Sequence, residues 1–73
     1  MKELLDILEN LRPDIDFSKN DKLIDDHLLD SFDIVTLVGE INETFEVQIG
    51  VEHLMPENFN SIKAIKSLIE RLQ

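Results

Sequence analysis

The pattern of apolar residues predicts an all-α fold: a small three-to-four-helix bundle with a long first loop. Three observations predict it. Apolar side chains recur at helical spacing in three separate segments. No segment alternates apolar and polar residues convincingly, as a half-buried strand would. Between the first two helical segments lies a stretch with no sustained period, long for a structureless connection in a compact domain. At 73 residues, without internal repeats, the chain reads as one domain over residues 1–73.

The first helix is "KELLDILENLR", where Leu4, Leu5, Leu8 and Leu11 repeat at helical spacing and Pro13 stops the run. The following "PDIDFSKNDKLIDDHLLD" holds Pro, Asp, Ser and Asn among scattered apolar residues. It is expected to pack down through Ile15, Phe17, Leu23, Ile24 and Leu28, with a short turn of helix at most. The second helix is "SFDIVTLVGEINETF". Ile34, Leu37, Val38, Ile41 and Phe45 form one stripe for the core. Asp30 is placed to cap it, Asp33 puts a negative charge in its first turn, and "QIG" is expected to end the segment. The segment "VEHLMPENF" has room for a short helical turn before Pro56. The third main helix is "NSIKAIKSLIERL", with Asn60 as expected cap and Ile62, Ile65, Ile69 and Leu72 as its stripe.

A chain this short buries about 60% of its unfolded surface and leaves little core from which to carve a deep catalytic pocket. It has no cysteine, so neither a disulfide nor a thiolate metal site is available. No apolar run is long enough to span a membrane, and no signal-like leader is read at the N-terminus. A soluble, cytoplasmic protein is therefore expected. The net charge of −9 is unevenly placed. Residues 23–62 hold nine acids and neither Lys nor Arg, whereas the charges of the two ends cancel. Such a field disfavours nucleic acid and anionic lipid, and it attracts basic protein surfaces.

On a helical wheel Phe32 and Val35 fall off the core stripe. They share a neighbouring face with Gly39, Glu43 and Glu46, and Ser31 sits at the border of the two faces. One exposed Phe needs no explanation. A Phe–Val pair beside a small residue and carboxylates has the character of a docking site. A helix N-terminus also favours negative charge through its free N–H groups and dipole, so a phosphodiester on Ser31 would sit well there.

"LLDSFD" followed by "IVTLVGEINETF" resembles the acyl carrier proteins, whose signature is Asp-Ser-Leu/Met at the start of a long acidic helix. The likeness extends to the Leu-rich opening helix, the long first loop, "FEVQI" and "ENFNSIKAIKSLIERL". It implies a single carrier domain that is not itself an enzyme. By the resemblance, Ser31 bears a covalent 4′-phosphopantetheine moved from coenzyme A by a phosphopantetheinyl transferase, and Asp30 is the acid before it. Phe32 replaces the usual Leu or Met, and Asp33, Glu40, Glu43 and Glu46 supply the acidity. The arm's thiol would hold acyl groups as thioesters for partner enzymes of fatty-acid, polyketide or related biosynthesis. Those transferases and synthases would dock by basic surfaces on Phe32, Asp33, Val35, Gly39, Glu43 and Glu46 of a monomeric carrier.

The likeness has departures. Thr36 and Asn42 stand where typical fatty-acid carriers have glutamates, and Gly39 where they have a larger apolar residue. "LLDS" and "PENF" also resemble D-alanyl and aminoacyl carriers, while the Gly-Gly of peptidyl carriers is missing.

Three other readings compete. A hydrolytic triad of Ser31, a histidine and an acid would need an oxyanion hole and a nucleophile elbow, and neither is legible. His27 and His53 are expected as loop residues on the surface or partly packed. "DIDFSKNDKLID" sets Asp14, Asp16, Ser18, Asn20 and Asp25 at calcium-loop positions, but Lys19 replaces the required glycine and Asp25 the bidentate Glu. An acidic helical adaptor with no covalent cofactor would explain the charge and the Phe32–Val35 face, but not the serine at their junction.

Overall fold

The computed structural model describes residues 2–73 and is all-helical, with no strand among them. Helix α1 is Lys2–Leu11, α2 is Ser31–Phe45, α3 is Pro56–Phe59 and α4 is Ile62–Leu72; a 3₁₀ turn, Val51–His53, precedes α3. Helix α1 packs against α2 and α4, and α3 packs against α4. This is the expected bundle of three main helices and two short elements.

The core is drawn from every segment. Leu4, Ile7 and Leu8 of α1 are buried with Leu37 and Ile41 of α2 and Ile65, Leu68 and Ile69 of α4. Ile34, Val38 and Phe45 flank this centre half-buried, as the α2 stripe requires. The other two stripes are wider than a strict single row. Ile7 and Leu68 are buried, while Leu5, Leu11, Ile62 and Leu72 are only partly so. Helix α1 meets two partners, and its buried face turns between them.

Residues 12–30 form successive turns without a regular helix. Phe17, Leu23 and Leu29 are buried, and Ile15, Ile24 and Leu28 pack half-buried around them. Two side chains hold this loop, one at its start and one from the far end of α3. Arg12 donates from Nη1 to the Leu28 carbonyl at 3.1 Å and to Asp33 Oδ2 at 3.0 Å. It also donates from Nε and Nη2 to Asp14 at 3.2 and 3.1 Å. One cation from outside residues 23–62 thus reaches their acids, so the nine are not all uncompensated.

The second holding group is Asn60, and here the expected cap is corrected. The cap of α4 is Ser61, whose Oγ accepts from Ala64 N at 3.0 Å. Asn60 ends α3 and turns to the loop. Its Oδ1 accepts from Ile24 N at 3.0 Å and Asp25 N at 3.1 Å, and its carbonyl accepts from Leu23 N at 2.7 Å. Asn and Ser are equally good caps, so adjacent ones leave the choice to tertiary contacts.

The end of α2 falls where the sequence places it, at the close of "SFDIVTLVGEINETF". The helix stops at Phe45, and Glu46 takes the left-handed conformation at φ 55°. Asn42 brings this about: its carbonyl accepts from Glu46 N and from Val47 N, and its Oδ1 accepts from Ile49 N at 2.9 Å. Residues 46–50 then run back along the bundle and bury Val47 and Ile49.

Candidate functional site

The N-terminus of α2 is built by two aspartates acting on each other. Asp30 is extended and its Oδ1 accepts from Asp33 N at 2.9 Å; Asp33 Oδ2 accepts from Asp30 N at 3.2 Å. This reciprocal box satisfies two orphan groups at the helix start, one at each end. Asp33 also takes the Arg12 ion pair, and its side chain is only 15% exposed. It is therefore turned into the framework and is not displayed beside Phe32.

Ser31 is the first helical residue, placed between the two members of the box, and it is exposed. Among the described residues no hydrogen bond engages its hydroxyl, and neither histidine pairs with it. His27 is exposed on the loop. His53 lies partly packed on the 3₁₀ turn, where its Nδ1 is buried without a hydrogen-bond partner, 3.6 Å from Glu52 Oε1.

An open cleft of about 470 Å³ begins at Ser31. Leu29, Ile34 and Val35 form one wall, and Leu54, Met55, Pro56 and Phe59 the other, while Ile24, His27 and Asp30 complete the rim. The lining is mostly apolar. The far wall was not legible in advance, because it depends on how the 3₁₀ turn and α3 fold back over α2. The available signal was the run "HLMP", whose Leu54 and Met55 are each 43% exposed in spite of their size.

The expected outer face of α2 is present over most of its length. Phe32 is 81% exposed and Val35 71%, and Gly39, Glu40 and Glu43 are exposed along the same helix. Phe32 is thus no core residue folded back on the loop. A Cβ built on Gly39 would meet nothing within 4 Å, so no neighbour within the fold requires a glycine there. Glu46 is exposed too, but it lies beyond the helix end and off the wheel that joined it to this face. Thr36 is exposed, whereas Asn42 is half-buried and its side chain serves the α2 terminus.

The calcium-loop residues are engaged with partners within the fold. Asp14 pairs with Arg12, and Asp16 Oδ1 accepts from Ser18 Oγ at 2.6 Å and Ser18 N at 3.1 Å. Arg12 holds the Asp14 carboxyl below the ordinary aspartate value, and the Ser18 hydroxyl does the same for Asp16. Among the described residues no cluster of three or more His, Cys, Asp or Glu could hold a metal ion. None of their helices is long and apolar enough to cross a membrane.

The geometry fits a covalent group on Ser31. The hydroxyl is free and reachable, it stands at the positive end of a 15-residue helix, and an apolar cleft opens beside it. A family model described as a phosphopantetheine attachment site matches residues 2–69. No curated protein and no solved structure gives a significant match.

Proposed function

Because this chain belongs to the phosphopantetheine attachment-site family, a family of carrier domains for covalent 4′-phosphopantetheine, we propose that Ser31 is its point of attachment and residues 1–73 a single acyl carrier domain. The observation that carries this reading is the free Ser31 hydroxyl, held between the two members of the Asp30–Asp33 box at the mouth of the cleft. Ser18, Ser61 and Ser67 are the other serines of the chain. Ser18 Oγ is spent on Asp16, and Ser61 Oγ caps α4.

The attached group supplies a terminal thiol, on which acyl groups are held as thioesters. The protein's own residues do the rest. Ser31 Oγ would be the nucleophile: it would lose its proton and attack the coenzyme A phosphorus that bears the pantetheine, forming the phosphodiester as the P–O bond to adenosine 3′,5′-bisphosphate breaks and that group leaves. The first-turn N–H groups and dipole of α2 favour the phosphodiester's negative charge. Leu29, Ile34, Leu54, Met55 and Phe59 give an apolar cargo a place out of water. That lining favours a hydrocarbon acyl group, as in fatty-acid or polyketide synthesis, over a charged aminoacyl group such as D-alanyl, whose ammonium would be desolvated there.

Phe32 and Val35, with Glu40 and Glu43 beside them, form the face for the phosphopantetheinyl transferase and the acyl-transferring and synthase enzymes. Those partners present basic and apolar groups to it, and the carrier acts as a cytoplasmic monomer. Loading acyl chains of increasing length and following amide shifts by NMR tests the cargo class. Shifts at Leu54, Met55 and Phe59 should grow with chain length. Shifts that stay the same from a two-carbon to an eight-carbon chain would remove the cleft from the account (chain lengths of about this range span a cleft of a few hundred Å³).

A further inference from the structure

His27 occupies a backbone position that calls for glycine. The loop makes one helical turn at Lys22–Asp26, where Asp26 N donates to the Lys22 carbonyl at 2.8 Å. The turn is closed by His27 N on the Ile24 carbonyl at 3.0 Å and Leu28 N on the Leu23 carbonyl at 2.9 Å. This 5→2 and 6→1 pair is a Schellman closure, with Leu28 and Leu23 as its apolar contact and His27 as the residue in the left-handed region at φ 60°. Glycine suits that position best; histidine, like asparagine and aspartate, is found there more often than other residues, but still at some cost in strain. The strain has no return in packing, because the side chain is exposed and no hydrogen bond or ion pair engages it among the described residues. Glu46, in the same conformation at φ 55°, is likewise exposed, so the backbone alone does not mark His27; its place does.

A task follows from that place. His27 lines the cleft with Ser31 and Asp30, and it is the only side chain of the lining able to carry a positive charge. Residues 23–62 contain no Lys or Arg, and His53 is their only other basic side chain. We infer that His27 donates a ring N–H to the phosphodiester on Ser31 and so holds the root of the arm at the mouth of the cleft. The inference rests on the assignment of Ser31 made above. The charged groups of its own turn are Lys22, Asp25 and Asp26, and Asp30 caps α2; the opposite wall of the cleft brings none.

The ³¹P resonance of the phosphodiester reports a neighbour that donates to it. In the phosphopantetheine-loaded protein His27→Ala should move that resonance at neutral pH, and His53→Ala should leave it in place. In the unloaded protein His27→Gly should raise the melting temperature, since glycine relieves the strain. A ³¹P resonance that His27→Ala leaves unmoved, one that His53→Ala moves as much, or a lower melting temperature for His27→Gly would each overturn the assignment. Failure of the carrier reading looks different: the mass of the protein would not change on incubation with coenzyme A and a transferase, and there would be no phosphodiester signal at all.

Discussion

The guanidinium of Arg12 stands 3.0 Å from the carboxylate of Asp33, so one ion pair ties the end of α1 to the first turn of α2. Asp33 is at the same time half of the box that fixes Asp30 and Ser31. Arg12 therefore acts at a distance on the attachment point, by holding the helix start in place across 21 residues of chain. Its hydrogen bonds to Asp14, and then to Asp33, raise its own pKa further.

Arg12→Ala should lower the melting temperature at neutral pH, and Arg12→Lys should recover only part of the loss. A lysine is a point charge and cannot reach three acceptors as the planar fork does. The folded state holds Asp14 below its ordinary value, so its stabilising share is complete above about pH 4 and fades as pH falls through the depressed value. Native protein and Arg12→Ala should accordingly converge in acid. Melting curves at neutral and acid pH check this, and an equal gap at both would show that the charges are idle.

Asn60→Ala should cost about 1–3 kcal/mol, because Ile24 N and Asp25 N lose their shared acceptor. Hydrogen exchange should quicken at Ile24 and Asp25 while the centre of α1 stays protected. Uniform acceleration along the chain would instead mean that the loop is no separate unit.

Phe32→Ala should leave the fold almost unchanged, since the ring is 81% exposed, whereas Phe59→Ala, at 2% exposure, should lose about 3–5 kcal/mol. With a partner transferase, Phe32→Ala should shorten the lifetime of the complex. Charge reversal at Glu43 should slow its formation, more at low salt than at high salt. Stopped-flow binding separates the two rates. A Glu43 effect that ignores salt would take electrostatics out of the encounter.

Salt should raise the melting temperature. Of the nine acids in residues 23–62, Asp33 is paired with Arg12, while exposed Glu40, Glu43 and Glu46 crowd the far half and end of α2. Moderate ionic strength shortens the Debye length to about 8 Å and screens that repulsion. A melting curve that does not move between low and moderate salt would place these acids too far apart to interact.

What could be read from the sequence follows the range over which each feature acts. Asp30, Ser31 and Asp33 were legible because capping is a matter of three adjacent residues, and the α2 stripe because helical spacing is local. The exposure of Phe32 and Val35 followed from the same wheel. The roles of Arg12 and Asn60 were not legible, since their partners lie 21 and 36 residues away. Asn42 was read only as a departure from the glutamate of typical fatty-acid carriers, and the backfolded segment 46–49 shows it ending the helix. Glu46 was misplaced because the wheel ran on past that end. His27 gave no sign in the sequence, because a left-handed histidine looks like any other until the turn around it is closed.

The most direct test of the central claim is the intact mass of two proteins after incubation with coenzyme A and a phosphopantetheinyl transferase. The native chain should gain one phosphopantetheine, and Ser31→Ala should gain none. The variant should keep its helical circular dichroism and its melting temperature, because the Ser31 hydroxyl holds nothing in the fold. A phosphopantetheine found on a well-folded Ser31→Ala protein, or none on the native chain, would contradict the account.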